Sequence, residues 1–204
     1  AYSHKGEKCT EPARLLIQDE IYDDVAQVLA ERALAVRCGD PFDASAGQGA
    51  QCGKAQYEKI VDYIESGIDG GADLLAGGKP QKNGPGYYVP PTLFGNVDRR
   101  APIAQEEIFG PVLVLQRFGD EDEAIALAND SKYGLAAGLY TADVSRAHRV
   151  AAAIEAGQVF VNRYGCYDFA SPFGGFKRSG WGKEMGAHSL DAYTRAKSVW
   201  IAYD

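Results

Sequence analysis

The sequence predicts an α/β fold: a mostly parallel sheet with helices packed on its faces. Three observations carry that prediction. From residue 111 onward, short apolar runs alternate with amphipathic stretches in the order strand, helix, strand, helix, strand. Each apolar run is only a handful of residues long, the length of a buried strand. The 204 residues suffice for one domain with a real core and an extended tail. Parallel strands joined through helices are expected to connect by right-handed crossovers.

Before residue 111 the same alternation is looser. RLLIQ (residues 14–18) is an apolar run that reads as a buried strand. Residues 19–36 follow with an acidic start and apolar positions at Ile21, Val25, Val28, Leu29 and Ala33, the spacing of a helix. Gly39-Asp40-Pro41-Phe42 ends it, and the Ser, Gly and Gln content up to residue 53 reads as loop. Residues 54–71 give a second amphipathic helix, with Tyr57, Ile60, Val61 and Ile64 on one face and glycine as its stop. ADLLAGG (72–78) reads as a short strand and the polar residues 79–86 as an exposed turn. The paired prolines in YYVPPTLF (87–94) argue against a central strand there. Then come strand 111–118, helix 120–130, strand 136–142, helix 144–156 and strand 158–162. Residues 171–186, SPFGGFKRSGWGKEMG, are too glycine-rich for a helix and too long for a simple turn, so they read as a functional loop on the sheet. TRAKSVWIAY (194–203) alternates like a strand and is expected to pair with another subunit or domain by strand addition. There is no internal repeat and no low-complexity segment.

Composition removes several function classes. The net charge of −7, with both signs mixed along the chain, argues against nucleic acid or an anionic membrane as the main partner. No apolar stretch approaches the ~20 residues of a spanning helix, and the first residues lack a signal peptide's apolar region, so a cytoplasmic location is expected. Cys9, Cys38, Cys52 and Cys166 are widely spread, without CxxC spacing, which disfavours a disulfide framework. His4, His148 and His188 form no close ligand pair, so no metal is expected.

Two motifs remain as carriers of chemistry. In GEKCTEP (6–12), Cys9 lies among polar residues beside Lys8, whose charge favours a thiolate; the competing reading is an inert small hydrophobe, and Cys38, Cys52 and Cys166 fall under it. EEIFGPV (106–112) places carboxylates ahead of an aromatic and a Gly-Pro turn. Those residues either cap a strand with solvated acids, or hold a ribose by its hydroxyls while the ring packs a flat group. Spacing alone does not choose. Neither a GxGxxG nor a GxxxxGK[ST] phosphate cradle occurs; SGWGKEMG has the wrong spacing and context. Tyr57, Tyr63, Phe118 and Tyr140 read as packing residues.

Taken in order, the cysteine motif, EEIFGPV and N...SPFGGFKRSGxGxExG resemble the C-terminal, catalytic half of the NAD(P)-dependent aldehyde dehydrogenase superfamily. GDPFD, GYYVPPTLFGNV, NDSKYGLAAGLYT and GQVFVN extend the resemblance over nearly the whole chain. It implies that Cys9 is the nucleophile, attacking the aldehyde carbon to give a thiohemiacetal and, after hydride leaves to NAD or NADP, a thioester that water hydrolyses. It implies that Glu107 holds the nicotinamide ribose and Phe109 packs near the nicotinamide. Glu184 corresponds to a glutamate proposed to relay protons, and Asn162, Tyr167 and Phe173 to the catalytic chamber and substrate tunnel. The aromatics Tyr164, Tyr167, Phe169 and Phe173 suit an apolar or cationic aldehyde tail.

The resemblance further implies a catalytic domain over residues 1–186, a tail over 187–204 with the oligomerisation strand of a homo-oligomer, and a cofactor-binding domain, oxyanion asparagine and general-base glutamate that lie outside this sequence. On that expectation the chain by itself is a fragment with little activity. Glu11 and Pro12 depart from the family's pattern after the cysteine, and the Glu11 carboxylate opposes the effect of Lys8. Two readings compete with the catalytic lobe: a non-catalytic interaction module of the same fold, and a thioester or ester hydrolase in which His4 is the only nearby partner for Cys9.

Overall fold

The computed structural model describes residues 1–80 and 86–204; the exposed turn expected at 79–86 falls mostly outside them. The chain divides into two compact units, Ala1–Ser131 and Lys132–Asp204.

The first unit runs β1 (Arg14–Gln18), α1 (Tyr22–Ala35), α2 (Lys54–Asp69), β2 (Asp73–Ala76), β3 (Thr92–Gly95), α3 (Pro102–Gln105), β4 (Val112–Phe118) and α4 (Glu121–Asn129). The four strands form one sheet in the order β1-β4-β3-β2. β4 pairs parallel with both β1 and β3, and β2 closes the edge antiparallel to β3. β4 is central because its apolar run does not alternate: Val112 to Leu115 are all buried, so both faces need cover. Val112 and Val114 pack with Ile60 and Ile64 of α2 and Ile103 of α3. Leu113 and Leu115 pack with Tyr22, Ala26 and Ala33 of α1 on the other face. The sheet is therefore a layer between helices, mostly parallel as expected.

Two details differ from the sequence expectation. The helix expected at 19–36 opens as a 3-10 turn over Asp19–Ile21 before α1 begins. The segment with paired prolines does reach the sheet's interior, because Pro90 and Pro91 stop just short of β3. Thr92 is the first residue able to donate, and its N–H bonds Pro111 O at 2.8 Å. All four β3 residues are buried.

The second unit contains β5 (Tyr133–Gly134), β6 (Ala136–Leu139), α5 (Val144–Ala153), β7 (Gln158–Val161), β8 (Phe176–Lys177) and α6 (Leu190–Tyr193). β6 and β7 pair in parallel across α5, and β5 pairs antiparallel with β8. Asp143 caps α5 by accepting the N–H groups of Ser145 and Arg146. Residues 194–204 form no strand and stay exposed, with Trp200 at 92 % and Tyr203 at 89 %. A strand needs a hydrogen-bonded neighbour, and among the described residues the segment pairs with no other strand. No helix among the described residues is long and apolar enough to cross a membrane.

One side chain ties the start of the sheet to a helix end. The Arg14 guanidinium donates to the carbonyls of Leu127 (3.1 Å), Ala128 (3.1 Å) and Asp130 (3.3 Å), at the end of α4. The Leu127 and Ala128 carbonyls lie in the last turn of the helix, at the negative end of its dipole; the Leu127 carbonyl also accepts the Asp130 N–H at 3.3 Å, and the Asp130 carbonyl accepts Gln105 Nε2 at 2.9 Å. Arg14→Met is expected to lower the unfolding free energy by about 2–4 kcal/mol, since three charge-assisted bonds, two of them part-buried, are lost. Arg14→Lys, with no planar fork, is expected to recover less than half of that in urea titrations.

Candidate active site

Cys9 occupies a corner. Glu11 N–H donates to Lys8 O at 3.0 Å, closing a turn with Cys9 and Thr10 at its centre. Thr10 is buried and Cys9 is exposed, with no hydrogen-bond partner for its thiol among the described residues. Two of the three charges within two residues of Cys9 face each other, Lys8 Nζ lying 3.9 Å from Glu11 Oε1. His4 Nδ1 lies 2.8 Å from Ser3 Oγ and does not bond Cys9, so the thiol–histidine pair that a hydrolase would need is not formed.

The loop before Cys9 is seated against the EEIFGP segment. A Cβ on Gly6 would stand 2.0 Å from Gly110 O and 2.7 Å from Pro111 N, inside van der Waals contact with backbone. On its far side Gly110 meets Ile60 of α2, whose Cδ1 lies 2.5 Å from where a Cβ would project. The two glycines therefore let the cysteine loop, the Gly110–Pro111 turn and α2 pack in immediate succession.

α2 holds that turn from beneath. Gln56 Nε2 donates to Ile108 O (3.2 Å) and Phe109 O (2.5 Å), and Lys59 Nζ donates to Glu107 O (2.8 Å). Tyr63 O–H donates to Glu106 Oε2 at 2.6 Å. Phe109 needs this support: its φ of 57° is left-handed, a conformation that costs a bulky residue of order 1–3 kcal/mol. The backbone bonds leave the Glu107 carboxylate exposed and without a partner among the described residues. Of the two carboxylates, Glu106 is engaged by Tyr63 and Glu107 is available.

Gln56, Lys59 and Tyr63 were not singled out by sequence reasoning, which read Tyr63 only as packing. The available signal was their spacing of three and four residues, which puts them on one stripe of α2 beside its apolar face. Cys38 behaves as a structural thiol: it is half-buried, donates toward Val89 O at 3.7 Å, and burial pushes its thiol up despite the Gln48 amide.

The second unit gathers the other predicted residues. Phe173 and Glu184 face each other across an isolated bridge, exchanging two N–H···O bonds of 2.7 Å. The Tyr167 ring lies 6.2 Å from Phe173 and 5.7 Å from Phe160, which in turn lies 5.0 Å from Tyr164, each pair tilted or edge-on. Asn162 bonds the neighbouring strand end. It sits at φ 58° after β7, its Oδ1 accepts Thr141 N–H (2.8 Å) and its Nδ2 donates to Thr141 O (2.9 Å), so both ends of the amide bind backbone.

The first unit is an α/β layer that seats an exposed thiol loop against a loop carrying an unpartnered carboxylate. The chain belongs to the aldehyde dehydrogenase family, whose family model matches residues 1–199. An aldehyde dehydrogenase from Aspergillus niger is 44 % identical over 198 residues, covering 97 % of this chain and 39 % of that protein. The structure of an aldehyde dehydrogenase from Bacillus cereus in complex with NAD+ superimposes with a TM-score of 0.93 at 39 % identity, covering 100 % of this chain and 41 % of that one. A betaine aldehyde dehydrogenase double mutant from Staphylococcus aureus, with NAD+ and a cysteine modified by β-mercaptoethanol, gives a TM-score of 0.90 at 36 % identity over 94 % of this chain and 39 % of that one. This chain spans about two fifths of the length of these three proteins.

The contact at Gly6 yields a stability prediction. Gly6→Ala is expected to lower the unfolding free energy by about 2–4 kcal/mol, because neither backbone can yield without moving the turn and φ 73° is itself unfavourable for alanine. Gly49→Ala, where a Cβ meets nothing within 4 Å, is the control, expected within about 1 kcal/mol of the parent. Equal urea midpoints for the two variants would contradict the close packing.

Proposed function

We propose that this chain supplies the nucleophile-bearing part of an NAD(P)-dependent aldehyde dehydrogenase, converting an aldehyde to a carboxylic acid. The observation that carries the proposal is the Gly6–Gly110 contact, which sets the exposed Cys9 loop beside the loop bearing Glu107 and Phe109. Those residues fit a nicotinamide ribose: an unpartnered carboxylate accepts from two vicinal hydroxyls, and a half-buried ring beside it offers a flat face. The NAD+ held by the Bacillus cereus and Staphylococcus aureus relatives supports the same assignment.

In this reading the Cys9 thiolate attacks the aldehyde carbon, forming a C–S bond and a thiohemiacetal. A nicotinamide nucleotide, when bound, accepts the hydride from that carbon. The thioester left on Cys9 is cleaved by water, which releases the acid and returns the thiol. Gln56 and Lys59 keep Phe109 and Glu107 in place through their carbonyls. In the second unit, Phe173, Tyr167 and their neighbouring rings take the aldehyde's tail and Glu184 assists proton movement; Asn162 acts by bracing the strand end at Thr141. The exposed 194–203 segment, with Val199, Trp200, Ile201 and Tyr203 open to solvent, adds as a strand to a second copy of the protein, and the assembly is cytoplasmic. The cofactor-binding half of the site lies outside this sequence in the proposal, so the segment by itself turns over little aldehyde.

Alkylation followed residue by residue, together with aldehyde oxidation by the intact polypeptide, tests this reading. Cys9 is expected to react at least tenfold faster than Cys38, Cys52 and Cys166 at neutral pH. Cys9→Ala is expected to abolish formation of reduced nicotinamide, and Glu107→Gln to raise the KM for the nucleotide about tenfold as two charge-assisted bonds weaken. A Cys9 no more reactive than the other three, in a polypeptide that reduces neither NAD+ nor NADP+, is the result that sinks the proposal.

A further inference from the structure

None of the roles above uses Glu7, yet its side chain is only 11 % exposed and fully engaged. Its Oε1 accepts the Cys52 N–H at 2.9 Å, and its Oε2 lies 2.9 Å from Lys5 Nζ. Burial works against the charge, but the Cys52 N–H, the Lys5 ammonium and the Cys52 thiol outweigh it and hold the carboxyl below its usual range. Lys5, from the same loop, and Cys52, from the segment before α2, are the charged and titratable groups facing it.

Cys52 lies next to Gly53, the residue that caps α2. Glu7 therefore ties the loop carrying Cys9 to the beginning of the helix whose Gln56 and Lys59 hold the carbonyls of the cofactor-facing loop. The loop needs such a tie. His4, Lys5 and Gly6 are left-handed in succession, at φ 49°, 62° and 73°, and the two non-glycine residues are strained by of order 1–3 kcal/mol each. A run of that kind persists only where its surroundings hold it. Glu7 makes no hydrogen bond to the Cys9 thiol, so any effect on the nucleophile passes through the backbone.

We propose that Glu7 is a positioning residue for Cys9: by bonding the Cys52 N–H it registers the nucleophile's turn against α2 and so against the loop of Glu107 and Phe109. The consequence for turnover rests on the aldehyde-oxidising reading; the consequence for the loop does not. Three substitutions in the intact polypeptide separate the possibilities. Glu7→Ala removes the acceptor, and Glu7→Asp keeps the charge but is one methylene short of Cys52, which covers the case of an alanine variant that does not fold. Glu7→Gln keeps an acceptor oxygen at full reach without the charge.

Amide hydrogen exchange at Cys52 and across residues 6–11 is expected to accelerate about tenfold or more in Glu7→Ala and Glu7→Asp, and to stay near the parent rate in Glu7→Gln. The kcat for aldehyde oxidation is expected to fall about tenfold in the first two with the KM for NAD+ within about twofold, and to be largely recovered in Glu7→Gln. Faster exchange with an unchanged kcat makes Glu7 a structural residue and overturns the proposal. So does a Glu7→Gln variant as impaired as Glu7→Asp, or exchange that no substitution alters. If the parent polypeptide oxidises no aldehyde, the functional reading fails, and the exchange rates alone decide whether Glu7 anchors the loop.

Discussion

The contact of Gly6 with Gly110 and Pro111 is the constraint on which the first unit's site depends. Backbone meets backbone there, with no room for a single carbon between them. Such an approach removes the adjustability that side chains usually provide: the cysteine turn, the Gly110–Pro111 turn and Ile60 of α2 form one stack, and displacing any of them displaces the others. Placement of a reacting atom to a fraction of an ångström is worth orders of magnitude in rate, which gives a physical reason for building the loop on a rigid stack.

The stack is rigid because its support is shared between the sheet and α2. Ile60 and Ile64 pack into the face of β3 and β4, so one side of α2 is fixed by burial of apolar area. Its polar stripe is then free to hold irregular backbone, with Gln56, Lys59 and Tyr63 bonding three consecutive parts of the EEIF segment. Left-handed residues occur on both sides of the contact, Phe109 on one and His4 and Lys5 on the other. Strain of this kind marks a place where geometry is held against local preference, and here the holding groups are identifiable.

The second unit solves a different problem with similar means. Residues 171–186 contain no helix, yet the Phe173–Glu184 bridge folds the segment back on itself, and the short β8 pairs with β5. Among the rings in contact, Phe160 is carried by β7, whereas Tyr164, Tyr167 and Phe173 lie outside the named helices and strands. The Asn162 amide bonds the backbone of Thr141 at both ends, which fixes the end of β7 from which Tyr164 and Tyr167 follow.

Much of the architecture was determined by the sequence alone. The apolar VLVL run read as a strand in a sheet with helices on its faces, the helical spacing of Tyr57, Ile60, Val61 and Ile64 read as an amphipathic helix, and the order of the cysteine, EEIFGP and SPFGGF motifs carried the family resemblance. These signals are local, so a periodicity or a motif reports them directly. Only the tertiary structure decided that Gly6 meets Gly110, that Glu106 is engaged while Glu107 is left available, and that Glu7 reaches Cys52. It also showed that Pro90 and Pro91 precede a central strand without breaking it, since only the residues inside the ladder must donate. The physical reason is common to all four: each depends on the meeting of segments distant in the chain, and such meetings leave no spacing in the sequence from which they can be read.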